Sequence, residues 1–323
     1  MIPVVQSFQE LAALWPSQKI ALAFGVFDGV HIGHQKLIQS LKDFASANSC
    51  KVVVATFEPN PIEVLAPDKA PQRIVSALYK AQLLKRYGVD ACIEIPFDED
   101  ISKMLAEEFL EQCIFNTSLN IKAISVGSKW RFGFRAQGNV ALLKTYRSYY
   151  GFELLDQQEI VHDKGTEDKV SSTDIRAYIE SGDLVSAKRC LGRGYAIYGV
   201  VEKGLGFATA EFTYPTANIK PCSKLTLTHG VYLSKAKIYT GDDAGKVYPA
   251  ISYIGKSPTL HEREIIIETH LYGYKGSLYH EQLEVEFLQK LRDEQVFSSR
   301  ESLHNQILAD INKGSQQHHL TVK

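Results

Sequence analysis

Residues 21–36 read ALAFGVFDGVHIGHQK, and the way this stretch divides decides the fold of the first half of the chain. Residues 20–24 form a short apolar run of strand character, which Gly25, Asp28 and Gly29 break. Leu37, Ile38 and Leu41 follow at helical spacing, so His31-Ile32-Gly33-His34 sits where a strand turns into a helix N-terminus. Unpaired backbone N–H groups and the helix dipole make such a position attractive to phosphate. Gly29 and Gly33 let phosphates approach the main chain. His31 and His34, three apart, face one side and can donate hydrogen bonds to phosphate oxygens. Surface or capping histidines are the plainer alternative. Zinc is disfavoured, because the metalloprotease pattern needs i, i+4 spacing with a Glu beside the first His. No Cys or carboxylate cluster lies nearby to complete a tetrahedral site.

Outward from this stretch, strand-like and helix-like runs alternate. Strands are expected at 52–57, 91–95, 121–126 and 152–160, and helices at 33–47, 77–87, 101–115 and 142–150. The first of these strands ends in the turn string Glu58-Pro59-Asn60-Pro61. The alternation predicts an α/β domain with a parallel, doubly wound sheet. Ligands bind beyond the strand C-termini of such sheets, where His31, Asn60 and Gly127 fall. Residues 171–191 read as two helices, with Ser171, Ser172 or Thr173 as the first cap, and close this domain. Gly192-Arg193-Gly194 is the expected joint. Beyond it the periodicity changes to two, and six short β-branched and aromatic runs predict a small closed antiparallel barrel. A helix over 299–311 follows. The expected division is 1–190 and 191–313, with 314–323 a polar, disordered tail.

At 323 residues the chain can bury two cores, and 45% hydrophobic and 23% charged residues describe an ordinary globular protein. A net charge of −1 argues against nucleic acid as a partner. The five cysteines carry no C-x-x-C pair and are expected to be reduced thiols. The first residues have no basic n-region, and no apolar run approaches the length of a membrane span. The expectation is a soluble cytoplasmic protein without a membrane partner, and nothing in the sequence predicts an oligomer.

Gly25 to Gln35 reads G-x-F-D-G-x-H-x-G-H-Q and resembles the first motif of nucleotidylyltransferases, in particular the adenylyltransferase module of bacterial bifunctional riboflavin kinase/FAD synthetases. Further strings continue the resemblance in order. Thr56 to Pro61 is similar to TFxPHP, with Asn60 in the place of His. Ser125 to Gly133 resembles V-G-x-(D/N)-F-x-F-G, with Lys129 for the acid or amide. Lys169 to Arg176 resembles R-x-S-S-T-x-x-R, with Lys169 for the first Arg. In the second half, Tyr214-Pro215-Thr216-Ala217-Asn218-Ile219 looks like the P-T-A-N signature of riboflavin kinases. Leu291-Arg292-Asp293-Glu294 to Phe297 resembles that family's ending. The Gly-rich string before P-T-A-N departs from the family, lacking its basic residues and carrying Glu211.

The resemblance implies a Rossmann-like FMN adenylyltransferase domain followed by a riboflavin kinase barrel. Riboflavin, FMN, FAD and ATP are the implied substrates and products, and Mg²⁺ the implied cofactor. His31 and His34 would act in the transferase, with Gly25, Phe27, Gly29, Asn60, Ser172 and Arg176 contacting ATP or its phosphates. Arg offers phosphate two parallel donors. In the kinase, Thr216 and Asn218 supply hard oxygens for Mg²⁺, and their i, i+2 spacing puts both on one side of an extended segment. Gly204 and Gly206 would form a backbone nest for phosphate. Glu268 follows three isoleucines, where a carboxylate needs a partner or a task. In the family it is the base for the ribityl hydroxyl, opposite a plain solvent-facing charge as the alternative. Arg292 would lie near the flavin. A chain retaining one activity, a flavin-binding protein without turnover, and a nucleotidylyltransferase for another acceptor remain as rival readings.

Overall fold

The computed structural model describes residues 1–155, 170–202, 216–219, 227–256 and 265–320. Gly204 and Gly206 lie outside them, as do Lys169 and Glu211. The chain divides into two compact units, one of residues 1–71 and 80–171, the other of residues 72–79 and 172 onward.

In the first unit β1 (Val4–Val5), β2 (Lys19–Phe24), β3 (Lys51–Glu58), β4 (Ala91–Pro96), β5 (Asn120–Val126) and β8 (Glu153–Leu155) form one parallel sheet. A small antiparallel hairpin, β6 (Arg131–Phe132) and β7 (Gly138–Asn139), stands apart from it. The sheet order is β1-β4-β3-β2-β5-β8, so the chain leaves β2 in one direction and returns to its other side at β5. That reversal is the switch point at which open α/β sheets bind ligands. Ile20 to Phe24 and Val52 to Ala55 are buried as continuous runs, as a sheet covered on both faces requires. The Ile32–Asn48 helix buries Leu37, Ile38, Leu41 and Ala45, the stripe its spacing predicts.

Two features of this unit depart from expectation. A seven-residue helix, Phe8–Leu14, capped by Ser7, buries Phe8 and Leu11. The helix expected over 101–115 is instead Glu99–Lys103, Ala106–Glu108 and a π-helical Phe109–Phe115, with Met104 extended. The loop after β6 causes the break. Phe134 N donates to Met104 O at 2.7 Å, and a Cβ on Gly133 would stand 2.6 Å from Ala106 Cα. Gly133 has a φ of +71°, so only glycine permits this approach without strain.

In the second unit six antiparallel strands close a barrel: β9 (Ala196–Glu202), β10 (Thr216–Ile219), β11 (Gly230–Ile238), β12 (Val247–Lys256), β13 (Ile265–Leu271) and β14 (Gln282–Asp293). Ile254, Ile267, Leu283, Val285 and Phe287 fill the interior. A run of three fully buried hydroxyls crosses it, Ser234 to Ser252 at 2.8 Å and Ser252 to Thr269 at 2.9 Å. Each satisfies its neighbour, which makes their burial tolerable. The Ser172–Ser181 and Leu184–Leu191 helices pack on each other, and the latter on β14. They therefore group with the barrel rather than with the sheet, where the sequence division put them.

The terminal helix is Arg300–Gln317, capped by Ser299. The expectation of disorder from residue 314 is corrected through residue 320. Gly314 and Ser315 are buried, Tyr272 donates its hydroxyl to Ile311 O at 2.7 Å, and His318 Nε2 lies 3.0 Å from Ala250 O. Gly314, where the polar tail is expected to begin, is the residue whose missing side chain makes room for Tyr272.

Candidate active sites

At the switch point of the first unit, Phe24 and Val126 end neighbouring strands in register, so Gly25 and Gly127 open the two turns at the sheet's C-terminal edge. The Phe27 ring is fully buried and fills the space that a side chain on Gly25 would need. Phe27, Gly29 and Val30 all have positive φ, of 52°, 76° and 41°. Glycine tolerates this, whereas for the β-branched Val30 it is strained. Backbone strain of this kind persists where the surroundings over-determine it, commonly at functional sites.

The turn delivers His31 as the N-cap of the Ile32–Asn48 helix, and its Nδ1 accepts from Gly33 N at 3.1 Å. A ring nitrogen that accepts has no proton, so the proton of a neutral His31 is on Nε2. Capping thus uses Nδ1 and leaves Nε2–H of the same imidazole to donate elsewhere. His34 stacks on His31 with ring centroids 3.7 Å apart and lies against the tilted Phe27 ring at 4.9 Å. Burial, then the neighbouring His31, hold His34 well below the ordinary histidine value. Its Nδ1 is enclosed without a hydrogen-bond partner. His34 is therefore a neutral group, and the pair is suited to donating hydrogen bonds to anionic oxygens rather than acting as two cations.

Asn60 caps the short Pro61–Leu65 helix, its side chain accepting from Ile62 N at 3.4 Å, while Asn60 N donates to Glu63 Oε2 at 3.2 Å. It follows β3, beside β2 in the sheet, so the structure brings the turn carrying Asn60 to the same edge as Gly25–His34. Trp130, just after Gly127, stacks on Phe24 at 5.2 Å, and Lys129 is exposed on the same turn.

On the barrel, register does the assembling. Asn218 pairs with Glu268 and Thr216 with His270 across β10 and β13. Directly opposed residues share a face, with Cβ atoms about 4.5–5.5 Å apart. Ala217, Ile219, Ile267 and Thr269 point inward and are buried, leaving Thr216, Asn218 and Glu268 together on the outer face. Glu268 is half-buried there, and desolvation raises its carboxyl above the ordinary range. An outward position therefore does not make it a plain solvated charge.

The same face continues through Tyr253, opposite Glu268, to Val231 and Arg292. Tyr253 donates to Glu294 Oε1 at 2.5 Å, and His229 Nδ1 lies 3.1 Å from Glu294 Oε2. Sequence reading passed over Tyr253; its signal was Gly255 two residues on, whose side-chain space the tyrosine hydroxyl takes. The Arg292 guanidinium forks onto Asp310 of the terminal helix, with Nε 3.0 and 2.9 Å from the two carboxylate oxygens. It is thus already engaged in docking that helix. Ser172 opens a helix of the second unit, and Arg176 Nε donates to Gln72 O at 2.6 Å in that unit.

A family model described as FAD synthetase matches residues 15–174, and one described as riboflavin kinase matches residues 191–318. The chain is 33% identical to the bifunctional riboflavin kinase/FMN adenylyltransferase of Buchnera aphidicola subsp. Schizaphis graminum, covering 90% of this chain and 91% of that one. It is 33% identical to the protein of that name from Haemophilus influenzae, covering 91% and 92%, and 32% identical to that from Escherichia coli K12, covering 91% of both. Among solved structures, a crystal structure described as a macrolide-efflux protein from Streptococcus pneumoniae superposes with a TM-score of 0.74 at 26% identity, over 96% of this chain and 98% of that one. With matched domains in each half and relatives aligned along nearly its whole length, the chain belongs to the family of bifunctional riboflavin kinase/FMN adenylyltransferases.

Proposed function

We propose that the chain converts riboflavin to FMN on the barrel and FMN to FAD on the sheet unit, in the cytoplasm, acting on small molecules rather than nucleic acid or membrane. What carries the reading is the β10–β13 register, which supports two oxygen donors and a carboxylate of raised pKa acting at one place. Glu268 takes the proton of the terminal ribityl hydroxyl as that oxygen forms its bond to the γ-phosphorus of ATP, and ADP departs. A carboxyl with a raised pKa is the better base for this task. Asn218 and Thr216 fit Mg²⁺ by the chemistry of the donor set: hard, neutral oxygens on one face, too few for a full protein shell, leaving phosphate and water to complete it. When bound, Mg²⁺ neutralises phosphate charge.

In the transferase an FMN phosphate oxygen bonds to the α-phosphorus of ATP, and pyrophosphate leaves. The groups at the end of β2 have no proton to remove. They receive charge, through His31 Nε2–H, His34 and the N–H groups opening the helix. Ser172 and Arg176 add phosphate contacts on this reading, Gly204 and Gly206 a nest in the kinase, and Arg292 the flavin-side wall of the barrel site. The transferase module on this reading extends through residue 190.

Separating flavins by chromatography after incubation with ATP and Mg²⁺, in parallel from riboflavin and from FMN, tests this. FAD from both is expected. FMN that accumulates without FAD overturns the transferase half, and FAD from supplied FMN alone overturns the kinase half.

A further inference from the structure

Lys80 is enclosed within the first unit, its side chain 7% exposed. Its ammonium donates to Glu58 Oε2 at 3.3 Å and stands 3.8 Å from Glu94 Oε1. Strand register is what brings the two carboxylates together. Glu94 on β4 pairs with Thr56 on β3, and Glu58 lies two residues further along the same face. Two carboxylates so placed repel, and Lys80, from the Ala77–Arg86 helix, reaches both. Enclosed charges are expensive to desolvate, and the arrangement is weak evidence for stability as such. Its location is informative. Thr56 Oγ1 donates to Val26 O at 3.4 Å, in the turn that leads to His31. Glu58 ends β3, and two residues on stands Asn60, held by its own cap. Phe97 N also donates to Glu58 O, at 3.4 Å.

We propose that Lys80 is a positioning residue of the transferase: by fixing Glu58 against Glu94 it holds the Glu58-Pro59-Asn60 turn where Asn60 meets the phosphates of ATP. This rests on the reading of Asn60 as a phosphate contact. Lys80 itself touches no substrate. Glu58 is the link, because it is both the partner of Lys80 and the start of the turn.

The test measures KM for ATP and kcat in FAD formation from FMN, with far-UV circular dichroism and the denaturant midpoint of transferase activity in the same samples reporting that the sheet unit is folded. Lys80→Met should raise KM for ATP about tenfold, and Lys80→Arg should recover most of it. Should Lys80→Met fail to fold, Glu58→Gln decides, since it keeps the shape and leaves Lys80 paired with Glu94. Its expected rise in KM, about three- to tenfold, should vanish in an Asn60→Ala background, because the two changes act on one contact. Additive effects in the double variant, or a normal KM in Glu58→Gln where Asn60→Ala raises it, overturn the inference alone. A normal KM in Asn60→Ala removes the Asn60 reading and the inference with it.

Discussion

In the first unit most of the candidate groups lie within ten consecutive residues, Gly25 to His34, with Asn60 beyond the neighbouring strand, whereas in the barrel fifty residues separate Asn218 from Glu268. One site is a property of a turn, strained at Phe27 and Val30 and fixed by what a single strand and helix require of their junction. The other is a property of strand pairing, with no special backbone conformation at any of its three residues. Their chemistry differs in the same sense. On the proposed reading the turn offers imidazole and backbone N–H donors to growing negative charge, while the barrel holds a carboxyl of raised pKa that takes a proton. A local site is robust to changes elsewhere but sensitive to its own backbone, and a paired site has the reverse weakness.

The largest expected effect separates the two directly. Glu268→Gln should lower riboflavin phosphorylation by about 10²–10⁴-fold, the usual worth of a general base, and leave FAD formation from FMN unchanged. Loss of both activities from a folded variant would end the two-site picture. Next comes the docking of the terminal helix. Removing Asp310 leaves Arg292 without its partner and should destabilise the barrel by about 3–5 kcal/mol. In a urea titration of Asp310→Ala, kinase activity should fail well before transferase activity; if the two midpoints move together, the units do not differ in stability as the comparison requires.

His31→Ala should cost the transferase about 10²–10³-fold in kcat, as for the loss of one oxyanion donor, and about 1 kcal/mol of stability through the lost cap. Kinase turnover at unchanged rate in that variant would sharpen the contrast; an equal fall would erase it. The smallest effect concerns pH. Folding holds the pKa of His34 below its ordinary value of 6.5. As pH falls below about 6.5 the unfolded chain takes up a proton that the folded one refuses, so stability declines with falling pH, by at most about 1.4 kcal/mol per unit. Denaturant titrations of the protein and of His34→Gln should show a flatter slope below pH 6.5 in the variant. Parallel slopes would mean that His34 is not the group responsible.

Much of this organisation was legible in the residues. Buried strands such as β2 and β3 announce themselves as unbroken apolar runs, and the barrel does so through its period of two. The π-helical Phe109–Phe115 was not, because the approach of Gly133 to Ala106 that breaks the longer helix is a tertiary event. The tail from Gly314 misled for a related reason, since its polar composition reads as disorder and the Tyr272 contact makes Gly314 an interior residue. At the sites, spacing places His31 and His34 on one side of a helix N-terminus, and the surrounding motif string, not the spacing, favours phosphate contacts over plain capping residues. That His31 would cap with one nitrogen and that burial would leave His34 neutral depends on the packing of Phe27 and the second ring. Lys80 gave no signal, because a lysine on an amphipathic helix is ordinarily solvated and its two acceptors come from different strands.

The pairing of β10 with β13 has a consequence for how the protein could be studied while it folds. A slip of one residue would turn Thr216 and Asn218 inward and bring Ala217 and Ile219 out, exchanging the two sides of the strand. Such a molecule could keep its secondary structure and its spectroscopic signature while having no place to phosphorylate flavin. Recovery of kinase turnover after dilution from denaturant therefore counts only correctly zipped barrels. Compared with the recovery of circular dichroism in the same experiment, it gives the delay between forming strands and setting the β10–β13 register.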